Sequence, residues 1–170
     1  DLPWHLIVIE DCSTDPQVRP WLRNWAETTE AKGQIELIEN ATNLGFIGAV
    51  NAGLTRALDL GHHVILLNSD ALVPANWASR LLRPMLGEPD VASVTPMSNE
   101  AEIFTVPVIS APAVLDPGQG DALDRMARSF APSTQAVVPT GVGFCMGVNI
   151  AYLRQFPQLD PVFGRGYGEE

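Results

Sequence analysis

The chain has 170 residues, of which 46% are hydrophobic, which suits one globular domain with a core and excludes a disordered segment. Its net charge of −10, with no clustered Lys or Arg, excludes a nucleic-acid-binding surface, which needs cations to displace counterions from phosphates. No run reaches the roughly 20 apolar residues of a membrane-spanning helix, and Cys12 and Cys145 have neither metal-ligand spacing nor a secreted disulfide framework, which points to a reduced, cytoplasmic setting with both as small packing residues.

In chain order, Leu6-Ile7-Val8-Ile9 reads as a buried strand that empties into the acidic run Glu10-Asp11-Cys12-Ser13-Thr14-Asp15. Asp15-Pro16 predicts a helix cap with proline in the first turn, and Val18, Trp21, Leu22, Trp25 and Ala26 then form one apolar stripe that Gly33 is placed to end. Ile35 to Glu39 is a short strand of imperfect alternation, suited to an edge. Ile47, Val50, Leu54, Ala57 and Leu58 predict a helix up to Gly61, and Val64-Ile65-Leu66-Leu67 is a second buried strand, ending at Asn68-Ser69-Asp70. Pro74 starts a helix carrying Trp77, Leu81, Leu82 and Met85, and Val91 to Val94 is the next strand. Strand and helix alternate through the first hundred residues, so an α/β fold with a largely parallel sheet is expected.

Between Pro96 and Pro139 the pattern loosens around one helix, Asp121 to Phe130, and the segment reads as an acceptor-side lid. Ala136 to Pro139 is a further strand candidate. The glycine-rich stretch Thr140 to Gly147 and a short helix from Asn149 to Phe156 follow it.

The chemistry sits at strand ends, where open α/β sheets bind ligands. The strands ending at Glu10 and Asn68 bring carboxylates to what reads as the same edge of one sheet. Magnesium is usually held by one or two protein carboxylates with phosphate oxygens and waters, so the Asn68-Ser69-Asp70 turn suits a nucleotide-linked substrate. An acidic chain that binds a diphosphate has to neutralise it locally, which favours a metal at Asp70. Other readings of the same residues stand beside this one. Asn68, Ser69 and Asp70 also suit a turn whose side chains satisfy backbone groups, and Glu10 and Asp11 a solvated strand exit. Gly45, Gly48 and Gly53 fit either a phosphate cradle or close helix packing, and Gly141, Gly143 and Gly147 either backbone approach to a sugar or turn geometry.

Five segments in order then carry a family resemblance: Ile9 to Asp15; Asn43-Leu44-Gly45-Phe46 with Asn51-Ala52-Gly53; Leu66 to Asp70; Thr140 to Gly147; and Phe163-Gly164-Arg165-Gly166-Tyr167-Gly168-Glu169-Glu170. Together they resemble the inverting family 2 glycosyltransferases of GT-A fold, over nearly the whole chain. The resemblance implies a GT-A-type, Rossmann-like mixed but mostly parallel sheet with helices on both faces, in a single domain over residues 1–170. It implies that Asp11 contacts the nucleoside base of a nucleotide-sugar with Glu10 beside it, and that Asp70 coordinates Mg2+ or Mn2+ on the diphosphate. Asn68 stands in the first position of the family's D-x-D element, near the ribose or the metal's outer ligands, and lowers the charge offered to the metal by one. Glu170 matches the family's general base, which deprotonates an acceptor hydroxyl as that oxygen attacks the anomeric carbon. The family's earlier strand and helix, and its elements past the general base, are expected to lie outside this chain.

The expected function is therefore metal-dependent transfer of a sugar, with inversion, from a UDP- or dTDP-linked donor to a saccharide, lipid-linked or protein acceptor, with membrane association only through flanking segments. Two alternatives remain open at this point: a nucleotide-sugar-binding or interaction module without turnover, and a nucleotidyltransferase. The donor sugar, the acceptor and the oligomeric state are not written in these residues.

Overall fold

The computed structural model describes residues 2–116, 118–130 and 135–164. Its elements in order are β1 (Leu6–Glu10), α1 (Val18–Thr28), β2 (Ile35–Glu39), α2 (Gly45–Leu60), β3 (Val64–Leu67), α3 (Trp77–Gly87), β4 (Ser93–Val94), α4 (Gln119–Phe130), β5 (Cys145–Val148) and α5 (Ile150–Leu153). The described residues divide into two units, one formed by residues 2–62 and 150–164, the other by His63–Asn149.

In the unit that contains β1, the two strands β1 and β2 run parallel, from Leu6 opposite Ile35 to Glu10 opposite Glu39. Side chains alternate along a strand, so Glu36 and Glu39 point to opposite faces. Arg56 of α2 bonds Glu36 at 2.8 Å, and Arg23 of α1 bonds Glu39 at 2.8 Å. The two helices therefore cover opposite faces, and the imperfect alternation of β2 has a cause: each face meets a helix that carries an arginine. As part-exposed pairs these ties contribute at most about 1 kcal/mol each.

Helix α2 ends where the sequence predicts. Gly61 takes φ 71°, and its N–H donates to the carbonyls of Ala57 and Leu58 at 3.1 Å. Ile47, Leu54 and Ala57 of α2 and Leu153 of α5 are buried, and α2 packs against both β1 and α5. Asn51 clamps the chain beyond α5 by giving its side-chain N–H to the Leu159 carbonyl at 2.9 Å and accepting the Leu159 N–H at 2.8 Å.

Helix α1 departs from expectation in two ways. Asp15 accepts the Gln17 N–H at 2.8 Å, so its capping turn sits just ahead of the helix, and the helix stops at Thr28 rather than running on to Gly33. Its apolar stripe is also not core: no α1 residue is fully buried, and Trp21 is 61% exposed. Its ring stacks on Trp25 instead, 6.1 Å between centroids. Stacking along the helix's own face shelters part of each ring from solvent.

In the unit formed by His63–Asn149, β5 lies between β3 and β4 and runs antiparallel to both, with Leu67 opposite Cys145 and Val94 opposite Gly147. β3 and β4 thus point the same way, as strand-helix-strand ordering requires, but a reversed strand separates them. The α/β class holds. The one largely parallel sheet expected from alternation is, among the described residues, a parallel pair and a separate antiparallel three-strand sheet. β5 occupies the glycine-rich stretch, whereas Ala136 to Pro139 form no strand. Leu82 and Met85 of α3 and Cys145 and Met146 of β5 are buried here, each large apolar side chain contributing about 2 kcal/mol. Burial alone pushes the Cys145 thiol up to about 11, as befits a packing residue.

The segment expected to be a lid folds partly on itself. Asn99 and Ala113 exchange two hydrogen bonds, at 2.8 and 3.1 Å, that close residues 99–113 into a loop, and buried Thr105 accepts the Ala101 N–H at 2.9 Å inside it. Glu100, Glu102, Ile103, Thr105, Ser110 and Pro112 line an open concavity of about 330 Å³. No helix among the described residues is long and apolar enough to cross a membrane.

A Cβ at Gly147 would stand 2.7 Å from Val94 Cγ2 and 3.2 Å from Leu82 Cδ2, while one at Gly33 would meet nothing within 4 Å. Gly147→Ala is expected to lose about 1–3 kcal/mol of stability through overpacking, and Gly33→Ala to change little. Urea unfolding of the two variants checks this.

Candidate functional site

The exits of β1 and β2 meet the start of α2, and the acidic run after β1 is built into that junction. Glu10 is only 2% exposed. Its carboxylate accepts the N–H of Ser13 at 2.5 Å and of Cys12 at 3.2 Å, together with Nε of Arg19. These bonds curl residues 10–13 tightly, with Cys12 in the left-handed region at φ 57°, a conformation that costs a non-glycine residue about 1–2 kcal/mol and needs such support. The Ser13 backbone N–H is the main cause that holds the Glu10 carboxyl down to about 2; burial opposes it and Arg19 assists.

Asp11 turns the other way. Its Oδ1 accepts Asn40 Nδ2 at 2.8 Å and the Leu44 N–H at 2.9 Å, its Oδ2 accepts the Gly45 N–H at 2.8 Å, and its carbonyl accepts Asn43 Nδ2 at 2.8 Å. Helix α2 has no side-chain cap of its own. Asp11 supplies one from across the sheet, placing a negative charge on the N–H groups and positive dipole end of the helix. A phosphate would compete for those same N–H groups. Close packing, the other reading of these glycines, has direct support at Gly48, where a Cβ would sit 2.5 Å from that of Leu44, and at Gly53, where it would touch Ile9 at 3.6 Å.

Arg19 and Asn40 carry no motif in the sequence, yet they connect these pieces. Arg19 Nη2 donates to the Asn40 carbonyl, and the Asn40 N–H donates to the Glu10 carbonyl at 2.9 Å. The available signals were slight: Arg19 is the first cation after the acidic run, and Asn40 immediately follows the β2 apolar segment.

Asn68-Ser69-Asp70 follows β3 in the other unit. The Asn68 N–H donates to Phe144 O at 2.9 Å and the Ala71 N–H closes the turn onto Asn68 O at 3.1 Å, so backbone groups alone form it. The side chains of Asn68, Ser69 and Asp70 are exposed and make no hydrogen bond among the described residues. They are not the turn-satisfying groups of the alternative reading. Both Asp70 oxygens and the Asn68 amide oxygen stay uncommitted, a hard-oxygen set that fits Mg2+ or Mn2+. No group of three His, Cys, Asp or Glu residues able to hold a metal occurs among the described residues, so an ion here would need further oxygens from a ligand and water. Glu169 and Glu170 lie outside the described residues.

The parallel pair flanked by two helices, together with the antiparallel three-strand sheet, matches a glycosyltransferase of GT-A fold. The crystal structure of GalNAc-T7 with UDP, GalNAc and Mn2+ matches this fold with a TM-score of 0.64 at 16% identity, over 97% of this chain and 32% of that one. The chain thus spans about a third of that protein's length. The family model for glycosyl transferase family 2 matches residues 1–157, and the chain belongs to that family. Comparison with curated proteins gives no match.

The Glu10 carboxyl is lowered from its ordinary 4.5 to about 2 in the folded chain, so the stability it contributes is fully present above pH 4.5 and is lost as pH falls through 2. Glu10→Gln is expected to be less stable than the parent at neutral pH, with the gap narrowing between pH 4.5 and 2. Thermal melts of both proteins across that interval check the sign.

Proposed function

We propose that this chain is the nucleotide-sugar-binding and catalytic part of an inverting glycosyltransferase. It moves a sugar from a UDP- or dTDP-linked donor to a hydroxyl of a saccharide, lipid-linked or protein acceptor. The observation that carries the proposal is the contrast between carboxylates: Glu10 and Asp11 are committed to the protein's own N–H groups, whereas Asp70 presents both oxygens to solvent on a turn closed by backbone alone. Membership of glycosyl transferase family 2 supports a sugar-transfer role for that turn. The Mn2+ and UDP in the GalNAc-T7 structure are compatible with a metal and a diphosphate in a fold of this type.

In this reading Asp70 would hold Mg2+ or Mn2+, with Asn68 near the ribose or the metal's outer ligands. A metal held there would supply positive charge toward the departing diphosphate, so that the leaving group would need no acid. In a chain of net charge −10, such local neutralisation favours binding of an anionic donor. Glu10 and Asp11 serve the nucleoside by fixing the loop against which it lies. Glu170, assigned from its place in the sequence motif, takes the proton of the acceptor hydroxyl. The loop over residues 99–113 is assigned to the acceptor side.

Calorimetric titration of UDP and dTDP, with Mn2+ and with chelator, tests the donor site. Binding is expected to require metal and to vanish in Asp70→Ala. In a transfer assay on the full-length protein, Glu170→Gln is expected to lose a factor of about 10²–10⁴ in rate, the usual worth of a general base, while binding donor normally. Metal-independent binding, or full activity of Glu170→Gln, would contradict the proposal.

A further inference from the structure

We infer that Arg19 is the positioning residue for the nucleoside-binding loop. The inference rests on the donor-site reading above and extends it to a residue that touches neither Asp70 nor any carboxylate assigned to the metal.

Arg19 stands in the first turn of α1, and its guanidinium reaches two loops at once. Nε engages the Glu10 carboxylate, and Nη2 engages the Asn40 carbonyl. Each of those partners does further work. Glu10 gathers the N–H groups of Cys12 and Ser13 and so maintains the left-handed Cys12. Asn40 gives its side-chain N–H to Asp11, which caps α2. Both loops therefore depend on one planar fork.

Removing the fork leaves Glu10, 2% exposed, held by the Cys12 and Ser13 N–H groups alone, and cuts the tie from α1 to the Asn40 carbonyl. The turn over residues 10–13 then loses its anchor to α1, and with it the fixed surface offered to the nucleoside. Lysine restores the charge but not the fork, because one ammonium on a flexible stem does not reproduce two fixed N–H directions. Arg23 provides the control. It lies one turn further along α1, pairs with Glu39 of β2 at 2.8 Å, and has no bond to residues 10–15.

The test titrates UDP and, separately, pyrophosphate, both with Mn2+, into the parent chain and into Arg19→Gln, Arg19→Lys and Arg23→Gln. Circular dichroism checks folding, and amide hydrogen exchange is followed at Cys12 and Ser13. Displacing a binding loop by a small distance is expected to weaken UDP at least roughly tenfold in Arg19→Gln. Arg19→Lys should fall between, Arg23→Gln should match the parent, and pyrophosphate should bind alike in all four. Exchange at Cys12 and Ser13 should quicken in Arg19→Gln only. Unchanged UDP affinity in a folded Arg19→Gln, or equal losses for UDP and pyrophosphate, would overturn the inference. A parent chain that binds neither ligand defeats the donor-site reading and the nucleoside role together; the exchange measurement then decides whether Arg19 holds the loop, unchanged exchange overturning that as well.

Discussion

Consecutive residues at a strand end point to opposite faces of their sheet, and the dipeptide Glu10-Asp11 uses both directions. Glu10 turns toward the arginine of α1, and Asp11 toward the N–H groups that open α2. Because α1 and α2 cover opposite faces of the β1–β2 pair, two adjacent carboxylates fasten a three-layer arrangement at one point. Neither is held by a surface ion pair alone. Backbone N–H groups supply most of the partners, and these are fixed by the fold and less open to salt screening than the exposed pairs Arg23–Glu39 and Arg56–Glu36. The acidic run therefore first organises the protein, and any ligand meets a surface that these carboxylates have already shaped.

The sheet of the other unit solves a different problem. β3 and β4 carry the parallel direction imposed by their intervening helix, but neither pairs with the other. β5 enters between them in reverse and supplies both ladders. A central strand that is met on both edges and packed under α3 has room for small residues only where a neighbour approaches closely, and Gly147 is such a position. The same strand gives Phe144 O, at its lip, to the Asn68 N–H, so the turn bearing Asp70 is anchored by the residue just before β5.

Much of this was legible in the residues, for physical reasons that differ by element. The apolar run of β1 and the glycine ending α2 are local signals, and the structure follows them closely. β5 was hidden because a glycine needed for close packing looks, in sequence, like a glycine needed for a turn. The stripe on α1 gave the right helix, but periodicity reports which residues share a face and not how deeply that face is buried. The cap of α2 was invisible locally: it comes from Asp11, because the N-cap position is Leu44, and the nearby Asn43 gives its amide to the Asp11 carbonyl. Asp70 stands just past the end of β3, where the apolar run ahead of it pointed, but its lack of partners among the described residues is knowledge only coordinates provide. Arg19 and Asn40 had no sequence signal strong enough to nominate them.

The order of strands has a consequence for how the polypeptide matures. β3 and β4 emerge from the ribosome well before β5, yet among the described residues Val64 pairs with Val148, and Ser93 shares that same residue. At a synthesis rate of about 5–20 residues per second, β3 waits on the order of ten seconds with both edges unpaired. During that interval Val64-Ile65-Leu66-Leu67 is an apolar, uncharged segment with open hydrogen-bonding groups, the kind that associates with other chains. The β1–β2 ladder, by contrast, uses no residue later than Glu39, although its unit is completed only by the segment that starts at Ile150. During synthesis the exposed β3 segment is therefore where aggregation in expression is expected to originate.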